Sequence, residues 1–146
     1  MRMTHHIINQ HGESITDDWG HLTPLSMDDL SSLNDGASHG LIIKADDDLD
    51  GILPHLKAVA HISIDFVHFA DGRGFSLARA LRDHGFTGHL RAMGHIMPDQ
   101  FRHAMAVGFD DIALPVDLAG RYGDKAWRDV AALTLPDYQS RLQAKA

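Results

Sequence analysis

An α/β fold of about four successive βα units is what this chain predicts: an open, mainly parallel sheet or half-barrel-like layer, preceded by a short N-terminal hairpin. Three observations carry that expectation. Apolar runs near residues 41, 62, 89 and 110 alternate with helical stretches, the rhythm of parallel strands joined by crossover helices. Two junctions repeat, His84-Gly85-Phe86-Thr87-Gly88 and Val107-Gly108-Phe109-Asp110-Asp111, each closing a helix shortly before a strand. A length of 146 residues suits one domain, and falls short of the ~250 that a complete eight-fold barrel needs.

The elements follow in order. Ile7 and Ile8, a His11-Gly12-Glu13 turn and Ile15 predict the hairpin. Residues 22–40 are rich in Ser, Asp, Gly and Pro and predict a loop, with a short helix near Met27–Leu33. GLIIKA (40–45) is a short apolar run suited to a buried strand. DLDGILPHLKAVA (48–60) is a weaker helix, interrupted by Gly51 and Pro54. ISIDFVHFA (62–70) alternates, with Ile62, Ile64, Phe66 and His68 on one face, and predicts a strand. SLARALRDHG (76–85) predicts a helix with Leu77, Ala78 and Leu81 inward and Gly85 as its C-terminal stop. HLRAMG (89–94) and DDIALP (110–115) are further strands. PDQFRHAMAVG (98–108) is a helix opened by Pro98, with Phe101, Ala104 and Met105 inward, and closed by Gly108. A last helix, Asp124–Leu135, turns Trp127, Val130 and Ala131 inward and stops at Pro136. The chain is therefore one domain: hairpin and loop over 1–39, βα repeats over 40–135, and a tail over 136–146.

Composition narrows the function classes. Thirteen basic against twenty acidic residues give a net charge of −7, so nucleic acid is not an expected partner, because phosphate neutralisation needs a concentrated basic face. No cysteine occurs; that removes disulfides, thiol redox chemistry, zinc–thiolate sites and cysteine-ligated clusters together. The opening MRMTHHIINQ has no apolar core of signal-peptide length and no segment is long enough to span a bilayer. A cytoplasmic protein without membrane contact is the expectation. An unclosed sheet has edges to cover, which favours a homodimer.

The candidate site is the stretch FADGRGFSLARALR, residues 69–82. In α/β sheets ligands bind beyond the carboxyl ends of strands. Asp71-Gly72-Arg73-Gly74, Gly94-His95 and Pro115-Val116-Asp117 fall in such loops. A helix starting near Phe75 or Ser76 would aim backbone amides at a small anion. Gly72 and Gly74 can take φ > 0 and expose more amides, Arg73 would add a guanidinium fork, and Arg91 a second clamp. Arg79 and Arg82 complete the basic cluster. The purely structural alternative has Asp71 capping the helix, the glycines making a tight turn, and Arg73 bridging to Asp71 or Asp99.

Other chemistries find less support. After Gly72-x-Gly74 the third glycine of a dinucleotide fingerprint is replaced by Leu77, and no phosphate-binding P-loop is present. Twelve histidines occur, without the i, i+4 helical pair of a zincin, so neither cofactor nor metal is expected. No nucleophile elbow surrounds Ser76. Asp71, Arg73, His95 and Asp99 form the candidate acid–base set.

FADGRGFSLARALR, GFTGHLRAMG, Asp99-Gln100, Gly108-Phe109-Asp110, Leu114-Pro115, Tyr138-Gln139 and Asp17-Asp18-Trp19 together resemble the bacterial family called domain of unknown function 934, densely over 62–115. The resemblance implies a pathway: such proteins are encoded beside assimilatory sulfite and phosphoadenylylsulfate reductases and labelled as oxidoreductases probably involved in sulfite reduction. A chain without cysteine or nucleotide fingerprint is poorly equipped to carry electrons alone. An accessory role follows as the expectation, binding a small oxyanion or a sulfite or sulfonucleotide reductase. The alternatives are an independent small-molecule enzyme on a truncated barrel-like scaffold and a non-catalytic protein-interaction module.

Overall fold

Strand follows helix from residue 39 onward, and each helix is held to the sheet by its buried stripe. The computed structural model describes residues 5–15, 23–26, 39–45, 47–66 and 72–132. Strands β1 (His5–Asn9) and β2 (Ser14–Ile15) form the expected hairpin. Its turn is closed by Asn9, whose Oδ1 accepts the amides of His11 and Glu13. Gly12 there has φ 75° and presses against the backbone of Trp127, leaving no room for a Cβ.

Strand β3 (Thr23–Leu25) lies inside the stretch expected to be loop. Its composition concealed it, because three residues are too few to show alternation. The short helix expected near Met27–Leu33 lies outside the described residues. Strand β4 (His39–Lys44) leads into helix α1 (Leu49–Ile52), which tightens into a 3₁₀ turn, Leu53–Ala58. Pro54 explains the change, since it lacks the amide that an α-helical ladder needs.

Strand β5 (His61–Phe66), helix α2 (Arg73–Asp83), strand β6 (His89–Gly94), a 3₁₀ turn Pro98–Gln100 with helix α3 (Phe101–Val107), strand β7 (Asp111–Pro115) and helix α4 (Val116–Ala132) complete the chain. Helix α2 begins three residues before the Ser76 start expected from sequence. Helix α4 begins at Val116 directly after β7, where a loop and a helix from Asp124 were expected; Gly123 (φ 70°, ψ 163°) breaks it into two segments. Residues 133–135 of the expected helix, His68 of the expected strand face and the 136–146 tail lie outside the described residues.

The seven described strands form one sheet in the order β2-β1-β7-β6-β5-β4-β3. It is mixed, not mainly parallel. Pairs β3–β4, β4–β5, β5–β6 and β6–β7 are parallel, while β1 joins both β2 and β7 antiparallel. The hairpin expected ahead of the βα repeats lies along β7, from His5 opposite Pro115 to Asn9 opposite Asp111.

Because β4, β5, β6 and β7 are spatial neighbours in chain order, right-handed crossovers put every helix between them on the same face. The core confirms it. Ile43, Ile62, Ile64, Phe66, Leu90, Ala92 and Ile112 meet Ile52, Ala78, Leu81, Phe101, Ala104 and Trp127 in one buried cluster. Alternation turns His61, Ser63 and Asp65 of β5, His89, Arg91 and Met93 of β6, and Asp111 of β7 to the opposite face.

The two repeated junctions share one geometry. After α2, Gly85 (φ 97°) donates to Arg82 O and Phe86 to Leu81 O; after α3, Gly108 (φ 113°) donates to Met105 O and Phe109 to Ala104 O. Both are Schellman stops, with a left-handed glycine followed by a buried apolar residue.

Candidate functional site

Phe66, the last residue of β5, organises the loops expected to carry function. Its ring packs on Phe75 at 5.0 Å and on Phe109 at 5.9 Å between centroids. Gly74 lies against that ring so closely that any Cβ would overlap it. Gly94 (φ 115°) lies as closely on the Phe66 carbonyl, which also accepts the amide of His95 at 3.3 Å. The loops that carry Arg73 and His95 are thus both anchored to one strand end.

The glycines of the Gly-Arg-Gly stretch do something other than expose amides through positive φ. Gly72 is the N-cap of α2 with φ −65° and ψ −13°, open space where a Cβ would point, and no side-chain hydrogen bond to the helix. Gly74 is buried in the first turn, and its missing Cβ is what lets α2 approach β5. Arg73 and Ser76 are exposed in that same turn, with Ser76 in the helix and not capping it. His95 and Asp99 are exposed beyond β6. Asp71 lies outside the described residues.

Arg91 stands apart from that set. It is the third residue of β6, 3% exposed, and grips Asp111 at two points: Nε to Oδ1 at 2.8 Å and Nη2 to Oδ2 at 3.0 Å. His89 Nε2 meets the same Oδ2 at 2.8 Å, and its ring stacks on that of His61 at 6.0 Å. His61, His89 and Asp111 begin β5, β6 and β7, at the end of the sheet opposite to Gly72–Ser76 and His95. The expected second clamp is therefore an internal ion pair.

Burial pushes the Asp111 carboxyl up, but hydrogen bonds from His89 and Arg91 and their charges outweigh it, and the group lies below its ordinary range. Burial likewise disfavours charged His89, but the hydrogen bond and charge of Asp111, with Asp110 adding, hold its pKa above the ordinary value.

Arg82 is an internal hub. Its guanidinium donates to Gly108 O twice, to Phe86 O, to Gly88 O and to Asp110 Oδ2, all between 2.8 and 3.0 Å. Asp110 Oδ2 also accepts the Leu90 amide at 2.9 Å. Neighbouring carboxylates thus tie the start of β7 to the elements beside it: Asp110 to α2 through Arg82 and to β6 through the Leu90 amide, Asp111 to β6 through Arg91 and His89. Sequence reasoning passed over both. The signal was there in HLRAMG, whose alternation puts His89 and Arg91 on one face opposite the strand that opens with Asp111.

Among the described residues no cluster of three or more His, Asp or Glu side chains can hold a metal, and no helix is long and apolar enough to cross a membrane. Among the described residues the exposed large apolar ones are Ile15, Ile42 and Val116, on three different elements.

A model of the family described as bacterial protein of unknown function (DUF934) matches residues 40–145. The chain belongs to that family. The match spans β4 through α4, the βα part of the molecule, and takes in both arginine hubs and the Gly72–Ser76 turn. Searches of curated proteins and of solved structures returned no match to this DUF934 chain.

Proposed function

We propose that this DUF934 protein is an accessory component of assimilatory sulfite reduction that binds a small oxyanion at the start of α2. The ligand class is sulfite, sulfate or phosphate. One observation carries the reading. An eleven-residue helix opens on an N-cap, Gly72, that offers its amides no side-chain acceptor, and exposes Arg73 and Ser76 in that first turn. Helix N-termini attract anions through unsatisfied amides and the positive end of the dipole, and an arginine adds a charge-assisted fork.

The sulfur assignment draws on the family resemblance set out above. Lacking cysteine, the chain acts here as a binder, in the cytoplasm, and electrons move through a partner such as sulfite reductase or a sulfonucleotide reductase. His95 and Asp99 would border the anion, with His95 held in place through the Phe66 carbonyl.

Calorimetric titration with sulfite, sulfate and phosphate tests this. Saturable heat with the wild type, reduced at least tenfold in affinity by Arg73→Ala, supports the reading; charge-assisted contacts are worth roughly that factor or more. No heat, or an Arg73→Ala protein that binds like wild type, overturns it.

A further inference from the structure

At the end of the molecule opposite to that anion site, a groove of about 700 Å³ runs between the 3₁₀ turn Leu53–Ala58 and the loop Gly85–Gly88. Its volume is that of a small-molecule pocket. Buried Val59 and Phe86 and half-buried Leu53 and Leu56 give it an apolar floor. Lys57, His84 and Thr87 are exposed along it. Among the described residues that line it none is acidic, in a chain with twenty carboxylates against thirteen basic groups.

The hydrogen-bond pattern agrees with the charge. The carbonyls of Ala80, Leu81 and Arg82, the negative end of α2, already accept the amides of His84, Phe86 and Gly85, which quiets the dipole that would repel an anion. The amides of Thr87 and Gly88 donate to no acceptor among the described residues. His84 Nδ1 donates to Ala80 O at 2.8 Å, which fixes the ring at the mouth of the groove.

We infer that this groove binds a small amphipathic anion, an apolar aromatic or branched body bearing one carboxylate or sulfonate, with the body on Phe86, Leu53 and Leu56 and the charge at Lys57 and the Thr87–Gly88 amides. The site is independent of the one at Arg73.

The probes are anilinonaphthalene sulfonate and its neutral counterpart phenylnaphthylamine, which share an apolar body and differ in charge. Fluorescence titration of the folded wild type is expected to show saturable one-to-one binding of the sulfonate, tighter than the neutral probe by about tenfold. Lys57→Ala and Thr87→Asp, both at exposed positions, should each erase most of that difference, whereas Arg73→Ala should leave it intact. Equal affinity for the two probes, non-saturable binding, or sulfonate binding unchanged by both groove variants overturns the inference. Circular dichroism melts on each variant exclude probe uptake by an unfolded fraction.

Discussion

Arg82 reaches 26 residues along the chain to the carbonyl of Gly108, donating to it through Nε at 3.0 Å and Nη2 at 2.8 Å. The carbonyls of Phe86 and Gly88 share the same guanidinium. One side chain thereby joins the two Gly-Phe junctions whose repetition is visible in the sequence.

Arg82→Met should accordingly destabilise the fold by about 3–5 kcal/mol. The side chain is 4% exposed, and removing one partner of such a pair leaves carbonyls and the Asp110 carboxylate without their donors. Urea midpoints measure it. A loss below ~1 kcal/mol would show that the hub matters little to stability.

Gly72 and Gly74 should answer the same substitution unequally. Gly74→Ala forces a methyl into the Phe66 ring and should cost about 1–3 kcal/mol. Gly72→Ala places its methyl in open space at φ −65° and should change stability by less than ~0.5 kcal/mol. Thermal melts of the two variants side by side provide the check.

Stability should peak in mildly acidic solution as far as Asp111 and His89 govern it. Asp111, with a lowered folded pKa, contributes stability above its unfolded value of about 3.9, and that is lost as pH falls through the folded pKa. His89, with a raised folded pKa, contributes fully below its unfolded value of about 6.5, and that is lost as pH rises through the folded pKa. Both contributions are present between about 4 and 6.5. Asp111→Asn should flatten both limbs of a plot of urea midpoint against pH, and a profile with limbs unchanged would contradict the assignment.

Arg91→Met should lower stability by about 3–5 kcal/mol, because it leaves a buried carboxylate with only His89. Where the protein remains folded, its oxyanion affinity should equal that of wild type, since Arg91 lies away from Gly72–Ser76. A selective loss of anion binding in Arg91→Met would return this residue to the site.

Local sequence determined the βα rhythm from residue 39 onward, the inward stripes of α2 and α3 and the two glycine stops, because spacing and φ requirements are properties of neighbouring residues. It also marked the loop around Arg73 and His95 as the place to look. Tertiary structure decided what sequence spacing cannot encode: that the hairpin lies antiparallel along β7, that Gly74 is small for the sake of the Phe66 ring, and that Arg82 and Arg91 are held by Asp110 and Asp111. An arginine looks the same in sequence whether it faces solvent or a carboxylate twenty residues away. Only the packing of one strand beside another brings the two together, and burial then makes their pairing obligatory.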